Sequence, residues 1–131
     1  MKNRYLFRAK RVDAGKWVQG AVLLHDNVAT IFNQHLADGS LQGFEVDIKT
    51  ICQCIGLKDK NGKLIFENDI LEGHLDDDFP EDVTRKKVIW NKNGWVTIES
   101  GAIDLEPLDD FDTENFEVVG NVFDNLELLE V

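Results

Sequence analysis

The stretch Gly56-Leu57-Lys58-Asp59-Lys60-Asn61-Gly62-Lys63-Leu64-Ile65-Phe66-Glu67-Asn68-Asp69-Ile70 constrains the fold of this chain more than any other part. An apolar run enters a polar turn centred on Asn61-Gly62, and a run with interleaved apolar and charged residues leaves it. Asn-Gly is a strong short-range hairpin signal, because both residues tolerate the positive φ that tight turns need. The block therefore predicts a central β-hairpin. No catalytic motif surrounds it.

The same alternation recurs along the chain. Tyr5 to Arg11 and Lys16 to Leu23 flank a turn at Asp13-Ala14-Gly15 and predict an N-terminal hairpin. Val28 to Phe32 predicts a short strand, His35 to Gly43 a loop turning at Asp38-Gly39, and Phe44 to Ile48 another strand. Thr50 to Leu57 continues as a more buried strand, and the run after Lys63 reads as one strand to Ile70. Glu72 to Asp82 contains Asp76-Asp77-Asp78-Phe79-Pro80, which suits an exposed loop, since proline removes a ladder donor and adjacent carboxylates repel. Lys86 to Trp90 and Trp95 to Ile98 flank Asn91-Lys92-Asn93-Gly94 as a second hairpin. Asp104 to Glu114 reads as a second acidic loop before the strand Phe116 to Phe123. Asp124, three residues before Glu127, is placed to cap a short terminal helical turn. The predicted class is mainly β.

At 131 residues the chain suits one domain, or two small barrels sharing a core, and 43% hydrophobic residues are enough to pack one. No apolar run reaches the ~18 residues of a membrane span. Met1 to Arg8 carries basic residues without the apolar segment of a signal peptide. Cys52 and Cys54 lie two apart, on one face of a strand, which suits reduced core thiols better than a disulfide framework. A cytoplasmic protein is expected.

Charge is unevenly spread. Residues 1–71 hold ten Lys/Arg against eight Asp/Glu, whereas residues 72–131 hold four against seventeen, and the whole chain carries −11. The acidic half disfavours direct contact with nucleic acid, since phosphates would be repelled. It serves solubility, or attracts a basic partner surface.

The candidate chemistry is thin. Asp59, Asn61 and Gly62 echo a calcium loop, but with Gly62 as its sixth residue the first is Leu57 and the twelfth Asn68, where carboxylates are required. His25, His35 and His74 stand at no metal-ligand spacing from one another or from the cysteines. No nucleophile elbow, phosphate loop or dinucleotide fingerprint occurs. Glu67 and Asp69 would share a strand face, as solvated charges rather than a catalytic pair. No catalytic residue, metal or cofactor is expected.

Trp90 and Trp95 are more informative, because hairpin parity puts both indoles on one face. The bulk that a small β fold needs makes a core-facing pair the first expectation. The alternative is an exposed platform for stacking bases or gripping a peptide, made locally positive by Lys86, Lys87 and Lys92. Arg4, Arg8, Lys10 and Arg11 form a second basic cluster. The candidate binding residues are thus Trp90, Trp95, Arg8, Lys10, Arg11, Lys86 and Lys87.

Three ordered blocks carry a family resemblance. They are Phe7-Arg8-Ala9 with Lys16-Trp17-Val18-Gln19-Gly20, then Gln53 with Gly56 to Lys63 and Ile65 to Ile70, then Phe116 to Asn125 with Glu127-Leu128-Leu129. In these the chain resembles the YopX family of phage- and prophage-encoded proteins over nearly its whole length. Asn68 stands where that family usually has glycine, and Cys54-Ile55 where it commonly has an aromatic-threonine pair. The left-handed turn is unaffected by the first change, and the second argues against a role for Cys54. The resemblance implies a mostly β fold with a small SH3-like barrel component, and it supplies no catalytic residues. It favours a single domain over 1–131, divisible into β subdomains of about 1–50 and 51–131. The expected function is that of a non-enzymatic phage or prophage accessory protein in the cytoplasm of a bacterial host. It would act through contact with an unidentified phage or host protein, or with copies of itself. The alternative is a nucleic-acid-binding β-barrel using the aromatic and basic residues named above.

Overall fold

The computed structural model describes residues 5–130, apart from the side chains of Gln34 and His35. Arg4 therefore lies outside the described residues. The chain divides into two compact units, Met1–Gly56 and Leu57–Val131.

In the first unit, β1 (Phe7–Lys10), β2 (Trp17–His25), β3 (Val28–His35) and β4 (Leu41–Val46) form successive antiparallel hairpins, and β5 (Cys52–Lys58) pairs with β1 on its other side. The long strand β2 serves two neighbours, pairing with β1 through Gly20 and with β3 from Ala21 onward. The switch needs glycine for a steric reason: a Cβ at Gly20 would collide with the Phe32 carbonyl oxygen. Ala9, Val18, Ala29, Ile31 and Val46 are buried together on one face, with Val22, Phe44 and Ile51 packed against them. Ala29 and Ile31 on β3, and Phe44 and Val46 on β4, stand two apart, as the period-2 pattern requires. A single bridge between Arg11 and Val46 joins the far ends of β1 and β4, beside the Val12 amide bonded to the Glu45 carbonyl. One bridge does not close a barrel. Asp47 caps a 3₁₀ turn over Ile48–Thr50 by accepting the Lys49 amide. Cys52 and Cys54 are buried thiols, and Cys52 donates to the Thr50 carbonyl.

The second unit begins with the last residues of β5 and the central hairpin turn. The Asp59 amide donates to the Lys63 carbonyl and the Gly62 amide to the Asp59 carbonyl, with Gly62 at φ +84°. That is the bonding of a three-residue loop ending in a left-handed glycine. The turn falls where Asn61-Gly62 predicts it, although only the glycine takes positive φ. The run beyond it is two strands, not one: β6 (Leu64–Phe66) and β7 (Asp69–Gly73) are separated at Asn68, which sits at φ +70°. β7 is flanked by β8 (Thr84–Asn91) and β11 (Phe116–Asn121), and β9 (Gly94–Glu99) and β10 (Leu105–Pro107) follow β8 outward. The order is β10-β9-β8-β7-β11. Ile70, Leu71, Val88 and Phe116 are buried along it.

The mainly-β class is as expected. Among the described residues both sheets are antiparallel and open, and their pairing forms no closed barrel of SH3 type. The second acidic loop is corrected in part: Asp110–Asn115 form a helix, α1. Asp109 and Asp112 build a reciprocal capping box there, each accepting the other's backbone amide, and the carboxylates favour the positive end of the helix. A 3₁₀ turn occupies Leu126–Leu129 as expected, but its cap differs. The Asn125 side chain accepts the Asn121 amide instead, and Asp124 accepts from the Asn121 side chain. Among the described residues no helix is long and apolar enough to cross a membrane.

Candidate functional site

The predicted binding residues divide between the units. Arg8, Lys10 and Arg11 belong to the first. Alternation puts Arg8 and Lys10 on one face of β1, and the hairpin register sets Trp17 opposite Lys10. The Arg8 guanidinium lies 4.8 Å from the Trp17 ring centroid and the Lys10 ammonium 5.6 Å from it, so both cations meet the negative face of one indole. Arg11 turns elsewhere. It grips Asp13 through two hydrogen bonds of 2.9 and 2.7 Å and covers the Phe44 ring at 4.2 Å. Donating to Asp13 raises the Arg11 pKa, and accepting from Arg11 lowers that of Asp13. A groove of about 640 Å³ opens beside these residues, but Glu45 and Asp47 line it along with Lys10, Arg11 and Lys49. That mixture of signs does not suit a phosphate backbone.

The second group sits on the β8–β9 hairpin. A two-residue loop, Lys92-Asn93, with Lys92 at φ +47°, pairs Asn91 with Gly94 and Trp90 with Trp95. The Trp95 carbonyl accepts the Leu108 amide, so its backbone bonds point away from β8. Trp90 and Trp95 are then a non-hydrogen-bonded pair, the kind in which facing side chains lie closest. Their rings meet edge to face, with centroids 5.1 Å apart and planes at 72°. Trp90 is 51% exposed and Trp95 partly buried. The core-facing expectation is therefore corrected for Trp90. The pair stands next to the hairpin turn, at the end of the buried row that contains Val88 and Thr97.

Two of the three lysines add no positive charge to that platform, which leaves Lys92, exposed in the turn. Lys87 is on the opposite face from the indoles, because successive strand residues alternate. Lys86 shares their face but points into the fold, where its ammonium lies 2.8 Å from an Asp112 carboxylate oxygen and 4.8 Å from the Phe116 ring centroid. Lys86 and Asp112 are 4% and 3% exposed.

The buried acids of this unit are structural. Asp59 accepts the amides of Asn61 and Lys63 on one oxygen and of Val118 on the other, tying the central turn to β11. Burial pushes its pKa up, but those three donors, with the Val118 amide foremost, and the Lys63 charge outweigh it and bring the pKa below the usual carboxylate value. Asp69 accepts the Phe66 amide and is buried, so it does not pair with Glu67 on a strand face; Glu67 lies in the turn before it. Among the described residues no group of three or more His, Cys, Asp or Glu is placed to hold a metal ion. The sequence reading missed Trp17 as an aromatic partner of cations, which the hairpin register alone would have shown. It also missed Asp112, which lies 26 residues from Lys86 and has no local signal.

The YopX protein family matches residues 6–130. The chain belongs to the YopX family. None of the curated proteins compared with it matches. Among solved structures, the crystal structure of protein EF1440 from Enterococcus faecalis is similar, with a TM-score of 0.58 and 22% identity over 95% of this chain and 96% of that one. At that identity the likeness concerns the fold alone.

Proposed function

We propose that this YopX-family protein is a non-enzymatic phage or prophage accessory protein that works in the bacterial cytoplasm by contact with a protein partner. The observation that carries the proposal is Trp90, a large aromatic side chain held half-exposed at a hairpin tip by its edge-to-face contact with Trp95. Exposed tryptophans contribute heavily to protein interfaces, where one ring supplies a large contact area at small entropic cost. The buried acids also support it, since Asp59, Asp69 and Asp112 are committed to backbone amides or to Lys86. The immobilised full-length protein, incubated with host or infected-cell lysate, is expected to retain a partner that Trp90→Ala no longer retains. No partner, together with turnover of a tested substrate, would refute it.

The same exposed indole also favours a second reading, in which the pair stacks on nucleic-acid bases. The burial of Lys86 and the facing of Lys87 remove the two cations that this reading needs beside the rings. It therefore ranks second. Salt-sensitive quenching of tryptophan fluorescence by a short oligonucleotide, lost in Trp95→Ala, would promote it.

A further inference from the structure

The chemistry around the hairpin tip specifies the kind of partner, and the following rests on the protein-contact reading. We propose that the Trp90–Trp95 pair is the docking point for an extended, arginine- and lysine-rich segment of a protein partner.

The argument begins with what borders the rings. The Leu108 amide is bonded to the Trp95 carbonyl, so the chain that continues into Asp109 and Asp110 leaves from beside Trp95. Two residue pairs further along, Glu106 faces Thr97 across β9 and β10, and therefore projects on the face that carries both indoles. Glu106, Asp109 and Asp110 are all exposed. Asp109 caps α1, whereas the carboxylates of Glu106 and Asp110 make no hydrogen bond or ion pair among the described residues. Carboxylates on the strand and loop that run beside Trp95, with the half-exposed Trp90 ring across the hairpin, offer a cationic side chain a negative ring face to stack on and a counter-charge nearby.

The wider field has the same sign. Residues 57–131 carry seven Lys/Arg against twenty Asp/Glu, a balance of −13. Of the hairpin's cations, Lys86 is committed to Asp112, Arg85 is paired with Glu72 and, like Lys87, faces the other way, which leaves Lys92 in the turn. Such a field raises the association rate of a basic chain and repels a polyphosphate. The site is an open hairpin tip rather than a cavity, so it suits successive side chains of an extended segment better than a small cation.

The test uses the full-length protein and fluorescein-labelled hexa-arginine, with hexa-glutamate and a labelled deoxythymidine oligonucleotide as controls, read by fluorescence anisotropy at low salt. Hexa-arginine is expected to bind and to be released by added salt. Trp90→Ala should weaken it about 2- to 5-fold, the scale of one exposed cation–π contact. Glu106→Gln/Asp110→Asn should weaken it by a comparable factor without altering the circular dichroism spectrum. Trp90→Phe should retain most of the binding, which separates ring stacking from loss of fold. No hexa-arginine binding, equal binding by Trp90→Ala, or Trp90-dependent binding of the oligonucleotide would each overturn the proposal. A lysate partner that depends on Trp90 but is not displaced by hexa-arginine would overturn it while sparing the protein-contact reading. The absence of any lysate partner would instead count against that reading.

Discussion

Replacing Lys86 with methionine keeps the length and apolar stem of the side chain and removes only its charge. The stem would still pass Phe116, but Asp112 would be left as a buried carboxylate 3% exposed. Breaking a buried pair from one side typically costs 3–5 kcal/mol, most of it from the charge left behind. Asp112 retains one donor, the Asp109 amide at 3.2 Å, so the loss belongs at the lower end, about 3 kcal/mol. With a urea slope of about 2 kcal/mol/M, the unfolding midpoint should fall by about 1.5 M. Trp90 and Trp95 are on the same hairpin as Lys86 and provide the fluorescence signal.

The double variant Lys86→Met/Asp112→Asn supplies the check. It has no stranded charge, and the asparagine oxygen can still accept the Asp109 amide, so it should recover at least about 1 kcal/mol relative to Lys86→Met. A loss below about 1 kcal/mol for Lys86→Met would mean that its ammonium reaches water, as an ordinary surface lysine does. A double variant as unstable as the sum of the two single ones would mean that the two groups do not interact. Either result refutes the placement of Lys86 inside the fold.

Gly62→Val should cost about 1–2 kcal/mol in a thermal or urea melt, since Gly62 is left-handed and a Cβ there meets nothing within 4 Å, so the whole loss is conformational; a neutral result would remove the left-handed assignment. Gly20→Ala should cost more, about 2–3 kcal/mol, because β3's backbone must shift, and amide chemical-shift changes should spread along Ala21–Phe32; changes confined to residue 20 would contradict the close approach. The Asp59 carboxyl has a folded pKa below its unfolded value near 3.8, so its contribution to stability is full above that value and is lost as pH falls through the folded pKa. Asp59→Asn should therefore be destabilised at neutral pH by about 1–3 kcal/mol, with the gap from the parent narrowing in acid; a gap independent of pH from neutrality to strong acid would show that the carboxylate's charge is not what the three amides hold.

The strands were legible wherever apolar residues alternate between turn residues, as in Phe7–Lys10 against Trp17–Gly20 and in Lys86–Trp90 against Trp95–Ile98. Local signals failed where a side chain serves a distant backbone group. Asp59 reads locally as a turn residue, and it is one, but its second oxygen belongs to Val118, 59 residues away. Glu67-Asn68-Asp69 looks like the charged half of a continuing strand. It becomes a turn because Asn68 takes a left-handed conformation, donates its amide to the Val88 carbonyl and accepts the Val122 amide, while the Asp69 carboxylate holds the Phe66 amide. Helix α1 was hidden because six residues rich in aspartate have low helix propensity. Its capping box was visible in principle as Asp109 followed three residues later by Asp112.

The candidate site shows the same division between local and distant causes. Parity alone put Trp90 and Trp95 on one face, and the two-residue loop made them direct neighbours. Parity equally puts Lys87 on the other face, which needed only the strand register. The fate of Lys86 needed the third dimension: the residue lies on the tryptophans' face, yet the fold supplies Asp112 as its partner, and the charge never reaches the surface. An acidic segment that reads as a solvated loop thus does two things. Asp112 withdraws a lysine from the hairpin, and the exposed Glu106, Asp109 and Asp110 add negative charge to the strand and loop that run beside Trp95. Both effects move the platform in one direction, away from phosphates and toward cations. A base-stacking surface would need the reverse, and no rotamer change at the rings could supply it. The charge of the loop, more than the tryptophans themselves, decides what the hairpin can hold.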